Sequence, residues 1–134
     1  MKVVRLYTDG AARGNPGPAG AGAYLCDENG DTVAELCEYL GETTNNIAEY
    51  RALLLGLKKA IELGFDEIEV LADSELMVRQ LLGRYRVKNE GLKPLFQEAV
   101  RLLKQFKKYS IKHVFREANL DADRLANQAV DENY

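Results

Sequence analysis

The spacing of apolar and polar residues along the chain changes period several times, and each change marks an element. Residues 3–8, Val-Val-Arg-Leu-Tyr-Thr, predict a strand leading into Asp9-Gly10. The stretch from Gly10 to Gly22 holds five of the 11 glycines and two of the three prolines, and is expected to be a tight loop. A second strand is expected over about Ala21 to Asp27 and a third over about Thr32 to Leu40. Asn29-Gly30 between them is a strong signal for a two-residue hairpin.

Helical spacing then takes over. Ile47, Tyr50, Leu54, Leu57 and Ile61 recur on one face of a helix from about Asn45 to Leu63, with Thr44 or Asn45 as its cap and Gly64 as its stop. Residues 67–72 alternate and then turn apolar, as a strand entering a sheet would, and Ser74 starts a short helix through about Leu82. Pro94 opens another helix, with an apolar stripe of Leu95, Phe96, Ala99, Leu102, Leu103 and Phe106, and with Lys107-Lys108 at its C-terminal end. A strand over Ile111 to Phe115 and a helix from about Leu120 complete the order βββαβααβα. That order implies an α/β fold with a mixed sheet, three antiparallel strands plus two parallel, flanked by helices.

Size and composition keep this reading simple. The 134 residues fit a single domain, residues 1–134, with enough apolar surface to fold without disulfides or a structural metal. Neither a signal-peptide h-region nor a membrane span is visible, so the expected location is cytoplasmic, with no membrane partner. A two-residue turn at Asn29-Gly30 would set Cys26 opposite Val33 and Cys37 opposite Gly22. The two thiols would then be unpaired, buried strand residues.

The chemistry lies in the acids. Asp9 and Asp73 end the first and fourth strands, where side chains of an α/β sheet point into the ligand crevice. Glu49 lies one turn into the first long helix and Asp123 in the first turn of the last. Each has a purely structural alternative. Asn46 and Glu49 have capping-box spacing, and an acid at Asp123 favours the helix dipole.

The surroundings of the four acids form a pattern. Tyr7-Thr8-Asp9-Gly10 leads into Arg13-Gly14-Asn15-Pro16-Gly17, and Thr43-Thr44-Asn45-Asn46 precedes Ile47-Ala48-Glu49-Tyr50. Ala72-Asp73-Ser74-Glu75 follows, and then Asn119-Leu120-Asp121-Ala122-Asp123-Arg124-Leu125-Ala126. In order and spacing these resemble the four motifs of type 1 ribonuclease H, and the resemblance covers essentially the whole chain. It implies a ribonuclease H-like fold and an endonuclease that hydrolyses the RNA strand of RNA–DNA hybrids, leaving 5′-phosphate and 3′-hydroxyl ends. Two Mg²⁺ ions, with Mn²⁺ as substitute, would be held by hard carboxylate oxygens. The resemblance makes Asp9 the bridge between the ions, gives Glu49 and Asp73 to the nucleophile side, and gives Asp123 to the other. It also implies that Glu49 contacts the RNA 2′-hydroxyl.

Substrate contacts carry over as well. Asn15, Asn45 and Asn46 match residues that reach the minor groove, Thr44 matches a phosphate contact, and Gly10 begins the glycine-rich approach to the RNA. Simple helix capping stays open for Asn45 and Asn46. The net charge of −3 runs against nucleic-acid binding. Setting the four acids aside leaves 18 basic against 17 acidic residues, a balance of +1, and two bound dications would reverse the local sign.

Two departures from the family pattern stand out. Glu75 replaces the Gln of many bacterial members and is left out of the site. A short interval, Gly83 to Gly91, stands where well-studied members carry a long basic protrusion, so the chain resembles the protrusion-lacking branch. Within it Arg84, Arg86 and Lys88 are either DNA-phosphate contacts or solvated loop residues. His113, the single histidine, lies ten residues before Asp123, where the family often places a histidine that assists water activation or product release; it also fits an ordinary sheet residue. Arg116 is the alternative flexible cation, although a guanidinium is a poor general base.

Two rival classes remain. One is a non-catalytic hybrid- or duplex-RNA-binding module, which would gain nothing from clustered negative charge beside phosphate. The other is a resolvase-like or DNA-cutting metal nuclease, disfavoured by Asn45-Asn46 before Glu49. The expected partner is RNA–DNA hybrid, met by a monomer with no obligate protein partner.

Overall fold

The computed structural model describes residues 2–133. Its elements are strands β1 (Val3–Ala12), β2 (Gly17–Asp27) and β3 (Thr32–Thr43), helix α1 (Asn45–Glu62), strand β4 (Glu67–Ala72), helices α2 (Glu75–Leu81) and α3 (Lys93–Leu103), strand β5 (Lys108–His113), a 3₁₀ turn at Arg116–Ala118 and helix α4 (Leu120–Glu132). The expected five-stranded mixed sheet is present, in the order β3-β2-β1-β4-β5. β1, β2 and β3 pair antiparallel, while β4 runs parallel to β1, and β5 parallel to β4.

Period-2 burial divides the sheet into two faces. On one, Val4, Leu6, Leu25, Ile68 and Val70 meet Leu53 and Leu57 of α1 to form the main core. Contact is tight: a Cβ on Gly56 would run into the Leu6 side chain. α4 covers the opposite face of β2. Thr44 caps α1 by accepting from the Ile47 amide at 3.2 Å, and Gly64, at φ +81°, follows its end.

Three boundaries differ from expectation. The glycine-rich stretch is mostly strand, because β1 continues to Ala12, β2 begins at Gly17, and only residues 13–16 turn. The glycines are there for packing. A Cβ on Gly22 would strike the Ala122 carbonyl, and one on Gly20 the Ala126 carbonyl, so the α4 backbone rests directly on β2. Asp9 therefore lies inside β1, one residue past the end of its parallel pairing at Thr8–Ala72.

The β2–β3 turn is a three-residue loop. Asp27 pairs with Asp31 at 2.9 Å, its carboxylate accepts the Asn29 and Asp31 amides, and Gly30 takes φ +85°. Cys26 consequently faces Thr32. A register shift at Leu25/Cys26 then restores the expected pairing of Gly22 with Cys37. Both thiols are free as expected, but Cys37 is half-buried.

The third boundary is that between α3 and β5. α3 ends at Leu103, Phe106 packs into the core from the following turn, and β5 runs over Lys108–His113 rather than 111–115. Lys107 donates its amide to the Asp66 carbonyl at 2.9 Å, which starts the chain along β4 early and takes both lysines away from the helix end.

Candidate active site

Asp9 reaches the crevice because β1 outruns β4 there, and Asp73 because it directly follows the last residue of β4. Ser74 caps α2 by accepting from the Met77 amide at 3.2 Å, which fixes the chain immediately after Asp73. Glu49 enters from α1. Since Thr44 is the cap, the third helical position is Ile47 and Glu49 makes no capping box. Its Oε1 instead accepts the backbone N–H of Gly10. Asn45 and Asn46 are likewise free of the capping role.

Carboxylate oxygens of Asp9, Glu49 and Asp73 all lie within 4.8 Å of one another, although Asp9 is only 6% exposed and Glu49 only 3%. Burial, then the charges of Glu49 and Asp73, pushes the Asp9 carboxyl far above the ordinary carboxylate range. Burial also raises Glu49, less strongly, because hydrogen bonds from Asp9 and the Gly10 amide favour its charged form. Among the described residues no ion pair reaches any of the three. The trio is a cluster of carboxyls with no counterion among the described residues, and burial and mutual repulsion disfavour their charged forms until a cation is bound.

These acids floor a cleft of about 500 Å³ that Gly10, Asn45, His113, Arg116 and Asp123 also line. Asp123 is half-buried and within hydrogen-bonding reach of Asp9, but stands outside the tight trio. Arg116, largely exposed, extends Nη2 to 3.9 Å from Asp123 Oδ1. His113 ends β5 at the cleft wall, with the Phe115 ring edge-on at 5.3 Å. Asn15, Thr44 and Asn46 do not line the cleft. Asn15 Oδ1 accepts the Asn45 amide at 3.0 Å, which ties the β1–β2 turn to the start of α1.

Among the lining residues that sequence reasoning missed are Asn127 and Phe115. Asn127 donates to the Asp123 carbonyl at 2.9 Å and to Asp123 Oδ1 at 3.3 Å, and its own Oδ1 accepts from Arg13 at 3.3 Å. The four-residue spacing of Asp123 and Asn127 on one helix face could have found it. Phe115, 75% exposed at the rim, left no signal beyond its place next to Arg116.

A family model described as Reverse transcriptase-like matches residues 7–129. Ribonuclease HI of Halobacterium salinarum is 45% identical over 129 residues, 96% of this chain and 65% of its own length. The crystal structure of RNase H1 from that archaeon superposes with a TM-score of 0.94, covering 97% of this chain and 98% of that one.

The chain belongs to the type 1 ribonuclease H family.

Other family members agree. A bifunctional protein of Mycobacterium tuberculosis is 48% identical over 98% of this chain. Its N-terminal RNase H domain, solved as a fusion with maltose binding protein, gives a TM-score of 0.96 over 98% of this chain and 96% of that one. The chain spans 36% of that curated relative's length. LC11-RNase H1, solved in complex with RNA/DNA hybrid, is 44% identical with a TM-score of 0.91, covering 97% of this chain and 98% of that one. No helix among the described residues is long and apolar enough to cross a membrane.

Proposed function

We propose that this ribonuclease H domain cuts the RNA strand of RNA–DNA hybrids with two divalent cations, leaving 5′-phosphate and 3′-hydroxyl ends. One observation carries the reading: two buried carboxylates and a half-buried one lie within 4.8 Å of one another, open to a cleft, with no ion pair to any of them among the described residues. Buried charge without a partner is costly, and a bound cation offsets that cost. The donors are all hard oxygens, which suit Mg²⁺ or Mn²⁺ and exclude a thiolate-type zinc site.

Asp9, Glu49 and Asp73 would hold one ion, and Asp9 with Asp123 the other. When bound, the ions would activate the attacking water and stabilise the leaving oxygen of the phosphodiester. Glu49, which accepts the Gly10 amide, would also meet a ribose 2′-hydroxyl, the group that separates RNA from DNA. Asn45 presents its side chain from the helix start, with Asn15 holding its backbone. Asn46 and Thr44, next to Asn45 in the chain, would add contacts beyond the cleft, and Gly10 would serve the substrate through the Glu49 that its amide holds. Arg116 and His113 also line the cleft, and a mobile cation there would speed product departure. We place the enzyme in the cytoplasm, acting as a monomer.

The test is cleavage of end-labelled RNA–DNA hybrid in Mg²⁺, beside duplex RNA, duplex DNA and single strands, with Asp9→Asn as control. Cutting confined to the RNA of the hybrid and lost in the variant supports the reading. Hybrid binding without cleavage in Mg²⁺ or Mn²⁺ would leave a binding module, and cutting of branched or duplex DNA a resolvase-like enzyme.

A further inference from the structure

Asn119 is a buried polar residue. It is 1% exposed, precedes the first residue of α4, and lies 111 residues from its partner. Its Nδ2 donates to the Thr8 carbonyl at 2.9 Å, and its own carbonyl accepts the Asp123 amide at 3.1 Å. Thr8 is the last β1 residue paired to β4 and the residue before Asp9. Two hydrogen bonds through one residue thus join the backbone beside Asp9 to the backbone of Asp123. The amide of Asn119 also accepts a place in the local fold by donating to the Arg116 carbonyl at 2.9 Å, so the segment bearing Arg116 hangs on the same residue.

This arrangement is poor as a device for stability alone. Asn119 Oδ1 and Thr8 Oγ1 are both buried with no hydrogen-bond partner among the described residues. Each such atom gives up its hydration without replacement, and an apolar pair of the same shape would avoid that cost. The tight trio of acids, by contrast, is set by β1, α1 and the end of β4; only Asp123 comes from an element on the other face of the sheet. Its distance from Asp9 therefore depends on how the start of α4 is tied to β1.

We propose that Asn119 is a positioning residue that fixes Asp123 against Asp9 and so sets the affinity of the acidic cleft for divalent cation. The inference rests on the metal-dependent reading of the cleft given above. Residues that orient a metal ligand commonly change metal affinity 10–100-fold when removed. A residue that served only the fold would lower stability and leave metal affinity alone.

The experiment measures Mn²⁺ affinity by titration calorimetry, together with the rise in Tm that saturating Mn²⁺ produces, in the whole chain. Asn119→Leu keeps the volume and removes the donor, and Asp123→Asn sets the scale for losing the ligand itself. Expected is Mn²⁺ binding about tenfold weaker in Asn119→Leu, approaching that of Asp123→Asn, with a smaller Tm rise on Mn²⁺ addition. Thr8→Val removes only an unpartnered hydroxyl and should bind Mn²⁺ within about twofold of the parent. Should Asn119→Leu fail to fold, Asn119→Ser carries the test, its hydroxyl giving a smaller but measurable weakening. A folded Asn119 variant with parental Mn²⁺ affinity, or an Asp123→Asn variant with parental affinity, would overturn the proposal. Failure of the parent to cut hybrid while these Mn²⁺ differences hold would instead count against the proposed function alone.

Discussion

The backbone N–H of Gly10 donates to Oε1 of Glu49, so the residue that follows one carboxylate holds the next one in place. This contact is possible because α1 lies directly on β1 at that point. A Cβ on Gly10 would collide with the Glu49 amide and the Ala48 backbone, neither of which can swing away as a side-chain tip would. Gly10→Ala should therefore push the start of α1 off β1. Overpacking of this kind costs about 2 kcal/mol, and the displaced Glu49 would leave the trio. Chemical denaturation should show a lower midpoint, and hybrid cleavage should fall at least tenfold. Parental stability and activity in this variant would mean that α1 is not held against Gly10 as described.

A second prediction concerns the acids without metal. Asp9 and Glu49 are both raised above their unfolded values, which lie at about 3.9 and 4.3. An acid raised on folding makes the native state the better proton binder, so its contribution to stability is full below the unfolded pKa. It is lost as pH rises through the folded pKa. The chelated protein should accordingly become less stable from about pH 4 upward through neutrality. Asp9→Asn removes the cost of keeping that carboxyl protonated at a pH where the unfolded chain ionises it, and in chelator at pH 8 should be more stable than the parent by about 2 kcal/mol. Saturating Mg²⁺ should reverse that order, since at a hundred times Kd a bound ion adds about 2.7 kcal/mol to the protein that binds it. Thermal melts with chelator and with Mg²⁺, at pH 5.5 and 8, read both signs.

Much of this was legible in the chain, and the failures share a cause. The strand over residues 67–72 and the start of α1 follow from local pattern, and Thr44 is a cap by its own chemistry. The four acids stood out only through the residues around them, because nothing in a lone Asp marks it among 21 acidic residues. Gly20 and Gly22 misled because glycine signals a turn locally, whereas here it makes room for α4, which lies far along the chain from Leu120 onward. Phe106 continued the helical spacing while serving the core from a turn. The Cys26 pairing slipped by one because a three-residue loop and a register shift replace a two-residue turn. Asn119 and Asn127 escaped for the same reason as the glycines, since each acquires its meaning from a partner or a helix face that the linear order does not state.

Behind the trio, a buried hydrogen bond joins the two helices that follow Thr44 and Asp73. Tyr50, adjacent to Glu49, donates its hydroxyl to Gln80 Oε1 of α2 at 2.6 Å, and both residues are buried. Burial also raises the Tyr50 hydroxyl pKa, so it remains a donor across the whole working range. Tyr50→Phe would strand the Gln80 oxygen in the core at a cost of about 1–3 kcal/mol. Adding Gln80→Leu removes the stranded group too, so the double variant should be destabilised by less than the sum of the singles. Equilibrium unfolding of the four proteins gives the coupling directly, and strict additivity would show that the pair does not act as a unit.

The last prediction turns on salt. Arg84, Arg86 and Lys88 lie exposed between α2 and α3, with Val87 buried between them as an anchor, and none enters an ion pair among the described residues. A loop fixed at one apolar residue, with three exposed cations that make no ion pair among the described residues, would be free to meet the phosphate backbone of a bound hybrid. Each phosphate contact releases counterions and steepens the fall of log K with log salt by about 0.9. Replacing all three by Ala should therefore flatten the salt dependence of hybrid binding by about 2–3, with weaker binding at low salt and little change at high salt. Because these residues do not line the acidic cleft, the maximal cleavage rate on saturating hybrid should stay near that of the parent, with the loss confined to KM. A fall in maximal rate with an unchanged salt slope would instead tie the loop to the chemistry and remove it from the grip on the DNA strand.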